Sequence, residues 1–121
     1  MLDHIALNVS DYDASKAFYT RALEPLGVKV LMEFGQLCGM GNAGKPDLWI
    51  GQRGEPSAPV HVAIAAPDRA TVDAFYEAAM AAGAAGNGEP GMRPQYHEHY
   101  YGAFALDPDG NNIEAVCHLP E

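Results

Sequence analysis

Positive charge is scarce in this chain of 121 residues, where seven Lys and Arg stand against sixteen Asp and Glu for a formal charge of -9. Nucleic acid is held through clustered Lys and Arg that release counterions from the phosphates, and seven scattered bases form no such patch. An anionic membrane surface is excluded for the same reason. Long apolar runs are missing too: none approaches the roughly 20 residues that a spanning helix needs. Met1-Leu2-Asp3-His4 has neither the basic start nor the apolar stretch of a secretory leader, which leads to the expectation of a cytoplasmic protein. The two cysteines, Cys38 and Cys117, lie far apart and form no CxxC, so two reduced, partly buried thiols are expected. Neither a GxxxxGK[ST] phosphate loop nor a Ser-x-Gly nucleophile elbow is present, and Gly35, Gly39 and Gly41 match no phosphate-binding pattern.

What is present suffices for one domain spanning residues 1–121. With 48% hydrophobic residues, such a chain needs neither disulfide nor metal merely to fold. Any metal would be there for chemistry.

An internal repeat organises the chain at an offset of 57 residues. His4-Ile5-Ala6-Leu7-Asn8-Val9-Ser10-Asp11 aligns with His61-Val62-Ala63-Ile64-Ala65-Ala66-Pro67-Asp68, Ala17-Phe18-Tyr19 falls on Ala74-Phe75-Tyr76, and Leu23 falls on Met80. Each copy opens with a β-branched strand, 3–9 or 60–66, and continues into a helix. Ser10 or Asp11 caps the first helix, whose face is Ala14, Phe18 and Ala22; Asp68 caps the second, whose face is Val72, Phe75, Ala79 and Met80. Pro25 with Gly27, and Gly83, stop them. Short strands follow at 28–34, 36–40 and 48–51, then at 92–96, 101–106 and 112–117, while the Gly/Ala-rich stretch 83–91 reads as irregular. The expected fold class is α+β: two repeated βαβββ modules, 1–53 and 60–121 with a linker at 54–59, forming a curved, cup-shaped mixed sheet with helices on the outside.

The repeat sets His4 and His61 at equivalent positions, so strands lying side by side would bring the two imidazoles together. A third donor is available in Glu114, a carboxylate between Ile113 and Ala115 that is costly to bury unless it is paired, hydrogen-bonded or metal-bound. Two imidazoles and a carboxylate leave open positions on a divalent ion. The plainer alternative is two packed, hydrogen-bonded histidines and a Glu114 that faces solvent on an edge strand.

Asp3-His4-Ile5-Ala6-Leu7, Val60-His61-Val62-Ala63 and Asp107-Pro108-Asp109-Gly110-Asn111-Asn112-Ile113-Glu114 together resemble the three signature segments of the vicinal oxygen chelate superfamily. That family contains glyoxalase I, extradiol dioxygenases, fosfomycin-modifying enzymes, methylmalonyl-CoA epimerase and bleomycin-resistance proteins. The resemblance implies two βαβββ modules, usually assembled as a homodimer, and a divalent metal (Fe, Mn, Ni or Zn) held by His4, His61 and Glu114. Glyoxalase-like members take a fourth donor, Glu or Gln, from the last strand of the first module. There the positions pairing with Glu114 by the repeat are Ile50 or Gly51, and Gln52 lies just beyond.

Gln95-Tyr96-His97-Glu98-His99-Tyr100-Tyr101 gathers aromatic and histidine side chains before a strand. If extended, it alternates with Tyr96, Glu98 and Tyr100 on one side and His97, His99 and Tyr101 on the other. Either it walls the cup, with His97 or His99 as acid/base and Tyr101 as a donor to a bound oxygen, or it is a surface turn covering a sheet edge. Trp49 and Phe34 read as core before cup. Two functions stand: a metal-dependent enzyme acting on a small substrate with adjacent oxygens, or a metal-free protein of the bleomycin-resistance kind that binds a small molecule.

Overall fold

Two aspartates start the two long helices. Asp11 accepts the Ala14 N–H at 3.1 Å and Asp68 accepts the Thr71 N–H at 2.7 Å, so each carboxylate partners a donor that the first helical turn leaves free. The computed structural model describes residues 1–121 and runs β1 (Ile5–Asn8), α1 (Tyr12–Ala22), a 3-10 turn (Glu24–Leu26), β2 (Lys29–Glu33), β3 (Leu37–Gly41) and β4 (Leu48–Gly51). It then repeats as β5 (His61–Ala65), α2 (Arg69–Ala81), β6 (Ala85–Met92), β7 (Tyr101–Leu106) and β8 (Asn112–Cys117). The two four-stranded sheets have the same order, β1-β4-β3-β2 and β5-β8-β7-β6. In both, the first strand runs parallel to the last, with Ile5 opposite Leu48 and His61 opposite Asn112. No helix is long and apolar enough to cross a membrane.

The helices pack against each other and against one face of the sheets. Phe18, Tyr19 and Ala22 of α1 join Val72, Phe75 and Ala79 of α2 in the buried cluster, with Ile50, Ile113, Cys38 and Cys117 beneath them. Ala14 and Met80 lie outside it and are exposed, because Tyr12, Ser15 and Tyr19 turn the buried stripe of α1 and Met80 sits beyond that of α2. Along β5 the alternation is visible: Val62 and Ile64 pack on the core, whereas His61, Ala63 and Ala65 point to the open face. Phe34 is 59% exposed just past β2, and Trp49 is half-buried; neither is core.

The stretch read as irregular forms most of an edge strand. Ala85–Met92 pairs antiparallel with β7 through two register shifts, and Pro90 is tolerated because an edge strand leaves half its donors unpaired. Ladder pairing overrides the poor strand propensity of Gly and Ala. The residues after it, read as a strand, are turns instead.

The segment Asp107-Pro108-Asp109-Gly110-Asn111 binds both modules. Buried Asp107 accepts the Tyr19 hydroxyl of α1, the Asp109 and Asn111 N–H groups at 2.9 and 2.8 Å, and the Asn111 amide at 2.8 Å. Asn111 Oδ1 in turn accepts the Val60 N–H at 2.9 Å, and Asp109 accepts the Ser10 N–H at 3.2 Å. Burial and the Asp107 charge push the Tyr19 hydroxyl far above its ordinary pKa of 10.0, so it stays a donor. Tyr19→Phe is therefore expected to cost about 1.5–3 kcal/mol in urea unfolding at neutral pH, because it leaves a buried carboxylate short of a donor. A hydroxyl with a raised folded pKa contributes stability that is present below the unfolded value and lost as pH rises past it. Between pH 10 and 12 the wild type should lose stability more steeply than Tyr19→Phe, by about 1.4 kcal/mol per pH unit. Parallel curves would show that Tyr19 ionises as freely in the fold as outside it.

Candidate functional site

Glu114 is 0% exposed in the middle of β8, between buried Ile113 and Ala115. A carboxylate in that position demands hydrogen-bond donors. Two reach it: His61 Nε2 at 2.7 Å on Oε1, and the Tyr100 hydroxyl on Oε2. Ala63, directly opposite Glu114 across the β5–β8 ladder, is small enough to let His61 lean over from two residues away. Gly102 supplies the rest of the space, since a Cβ there would stand 3.0 Å from the Tyr100 ring and 3.2 Å from Glu114 Oε2. Burial and the adjacent carboxylate raise the Tyr100 pKa, which keeps its proton on the bond. The His61 side chain is 53% exposed, so the pair opens to the outside through the imidazole.

His4 is placed elsewhere in the chain. Its Nδ1 lies 2.7 Å from Asp3 Oδ1, Lys45 Nζ holds the Asp3 carbonyl at 2.6 Å, and the ring borders a cavity of about 400 Å³ with Ile5, Leu23, Val28, Val62 and Ile64. That cavity meets β5 on the face opposite to His61. Within one chain, no three His, Cys, Asp or Glu side chains converge to hold a metal ion. One chain thus joins His61 with Glu114 and leaves His4 apart.

The counterpart of Glu114 in the first module is Trp49. Ala6 faces Trp49 as Ala63 faces Glu114, which corrects the alignment on Ile50 or Gly51 by one or two residues. The indole lies over Gly39, where a Cβ would come within 2.9 Å of it. Gln52 is engaged at the start of α1, where its Oε1 accepts the Tyr12 N–H at 2.8 Å.

The 93–100 stretch is turned, not extended. The Tyr96 N–H bonds the Arg93 carbonyl at 3.0 Å and the Arg93 N–H bonds the Tyr100 carbonyl at 2.8 Å, closing a loop that breaks the expected alternation. As a result Tyr100 faces Glu114, whereas the Tyr101 hydroxyl donates to Asp73 of α2 at 2.6 Å. His97 packs edge-on against His118 at 5.6 Å, and His118 packs against Tyr100 at 5.2 Å. His99 stands 3.5 Å from Glu98. Tyr100 and His118 carry no signal in residue spacing; only the turn brings them in. Beyond them, a cavity of about 310 Å³ is lined by Asn87, Gly88, Arg93, Tyr96, Phe104 and Asn112, and the Phe104 ring lies 6.0 Å from that of His61.

The family model described as the Glyoxalase/Bleomycin resistance protein/Dioxygenase superfamily matches residues 1–115. The chain belongs to this superfamily. A glyoxalase/bleomycin resistance protein from Albidiferax ferrireducens T118 has a similar structure, with a TM-score of 0.82 at 28% identity over 96% of this chain and 97% of that one. Glyoxalase I from Zea mays, as its E144Q mutant, is 26% identical with a TM-score of 0.70 over 95% of this chain and 46% of its own. Lactoylglutathione lyase from Agrobacterium tumefaciens, at 21% identity and a TM-score of 0.68 over 94% of this chain and 90% of that one, shares the fold. No curated protein matches the chain.

The two adjacent tyrosines give a direct check on this superfamily member's buried carboxylate. Tyr100→Phe leaves Glu114 Oε2 without its donor and should cost about 1–3 kcal/mol, against at most about 1 kcal/mol for Tyr101→Phe at the more exposed Asp73 bond. Chemical denaturation of both variants measures the difference. Equal losses would show that Glu114 finds a donor elsewhere.

Proposed function

We propose that the protein is a metal-dependent enzyme of this superfamily, acting on a small substrate that presents adjacent oxygens to a divalent ion, Fe, Mn, Ni or Zn. The observation that carries the reading is a fully buried Glu114 paired with a half-exposed His61 at the open face of a sheet. A structural ion pair has no need of that exposure, whereas a ligand pair does. One chain offers two donors, so the third, His4, comes from the partner subunit in a homodimer. The ion, when bound, supplies a Lewis acid that stabilises negative charge developing on a substrate oxygen.

The chain's own residues do the rest. Tyr100 fixes the Glu114 carboxylate through its hydroxyl. The acid/base comes from the 97–99 segment: His97 packs on His118, which packs on the Tyr100 that holds Glu114, and His99 lies on the same turn. Tyr101, tied to Asp73, anchors that segment to α2. Isomerisation, a lyase step, ring cleavage and group transfer all begin from such an oxygen chelate. The modules at 1–53 and 60–121 act as one unit, in the cytoplasm.

Metal analysis of untagged protein, incubated in turn with Fe(II), Mn(II), Ni(II) and Zn(II), tests the reading. About one equivalent per chain is expected for at least one ion, falling below about a tenth in His4→Ala, His61→Ala and Glu114→Ala. Mixing unfolded His4→Ala and Glu114→Ala chains and refolding them together should restore about a quarter of the sites, because half the dimers are mixed and each mixed dimer rebuilds one intact site. No recovery would sink the shared site. Loss of metal in none of the three variants would sink the ligand set.

A second reading is favoured by Trp49, an indole where the repeat would place a carboxylate. On it, the protein binds a small molecule without metal. It then takes up none of the four ions, and His4→Ala leaves its ligand affinity unchanged.

A further inference from the structure

We propose that the cavity beside His61 and Glu114 is a carboxylate-binding subsite anchored by Arg93, so that the substrate is a small organic acid. The proposal deepens the reading of His61 and Glu114 as the reacting end of the site and rests on it for that end alone.

Arg93 is a charge without a partner. In a chain with sixteen acidic residues, its guanidinium forms no ion pair; its Nη2 donates to the Glu89 carbonyl at 2.8 Å and its Nη1 to the Met92 carbonyl at 3.4 Å, one proton of each nitrogen remaining free, and the plane lies over Phe104 with Cζ 5.4 Å from the ring centre. Two glycines hollow the place for it. A Cβ at Gly88 would stand 3.2 Å from Nη2 and 2.9 Å from Phe104, and one at Gly91 would stand 3.1 Å from Nη1. The register shifts of β6 fall at these same residues, so the strand bends away from β7 where the guanidinium enters. This is a seat built for one side chain, and it is held by neutral groups only.

The rest of the cavity fits an organic acid. Asn87 and Asn112 add amide groups whose N–H2 can donate to a carboxylate, and the Asn112 side chain makes no hydrogen bond within the chain. Tyr96 and Phe104 give an apolar wall. Phe104 is also the bridge to the reacting end, 6.0 Å from His61 on one side and 5.4 Å from the Arg93 guanidinium on the other, which is within the span of a small molecule. A carboxylate laid on the guanidinium fork takes two parallel hydrogen bonds. The far end of the same molecule then lies at His61.

Side-chain NMR titration of labelled protein tests this with benzoate, phenylacetate and pyruvate as probes, benzamide as the neutral twin of benzoate, and inorganic phosphate as a different anion. Benzoate should move the Arg93 Nε–H and Asn112 amide signals saturably and bind at least about tenfold more tightly than benzamide. Arg93→Gln should abolish that preference. Asn87→Asp, at an exposed position lining the cavity, should abolish it too by setting a competing carboxylate beside an intact Arg93. Equal binding of acid and amide, a preference that survives Arg93→Gln, or no saturable effect from any of the three acids overturns the proposal. Phosphate that displaces benzoate as well as phenylacetate does overturns the carboxylate assignment. The two readings fail separately: metal content of Arg93→Gln should equal that of wild type, and an acid preference that persists in a protein binding no metal condemns the enzyme reading alone.

Discussion

The Asp107 carboxylate is the constraint on which the arrangement of the rest depends. It takes a hydroxyl from α1 of the first module and three N–H groups from its own turn, and the turn hands on the alignment: Asn111 Oδ1 and the Asn112 N–H both bond residue 60. Those two bonds set β5 beside β8 in a single register, His61 opposite Asn112 and Ala63 opposite Glu114. A slip of one residue would turn Glu114 into the helix layer and Ile113 to the open face, since strand side chains alternate. The DPDGN turn thus acts at a distance on the site. It decides which side of the sheet carries the carboxylate.

The two modules share one scaffold but not one set of residues on the open face. Both sheets have the same strand order and both helices the same aspartate cap, yet the residues facing the open side differ in kind. In the second module a buried carboxylate is held by His61 and Tyr100; in the first its place is taken by Trp49 stacked over Gly39, and His4 turns to Asp3. An indole needs no donors and a carboxylate needs at least two, so the polar network around Glu114 has no equivalent around Trp49. Asymmetry of this sort follows from burial cost: with an indole in place of a carboxylate, the first module has no acid on its open face to hold its histidine.

The repeat made the opening of each half legible, because an offset of 57 residues carries β1, the aspartate cap and α1 onto β5, the second cap and α2, whereas Trp49 and Glu114 at the far end of the halves stand 65 apart. It failed at β6, where Gly and Ala have no strand preference and only the ladder with β7 creates the strand. Of the candidate site, the pairing of His61 with Glu114 was legible. Glu114 announces itself as an acid among apolar neighbours, and His61 by its place at the start of the strand beside it. Tyr100 was not legible, since period-two alternation assigns 101 to the face with His97 and His99, and only a turn closed by the Arg93 and Tyr100 main chains reverses this. Nor was the separation of His4 from His61, which depends on how two sheets meet and not on anything within either strand.

The excess of acidic residues bears differently on a small acid than on nucleic acid. A formal charge of -9 repels any anion at long range, so Arg93 gains nothing from steering. Beyond about 8 Å at physiological ionic strength that repulsion is screened, and what is left is the contact itself. Within contact distance the terms reverse. Arg93 forms no ion pair with any carboxylate of the chain, rests on an aromatic ring, and sits where two glycines leave it room, so its charge meets only neutral carbonyls from within. An acidic protein that holds one cation in this way selects by fit over approach: a long-range field would admit any anion of opposite sign, while a single seated guanidinium admits one whose remaining atoms also reach along Phe104 to His61.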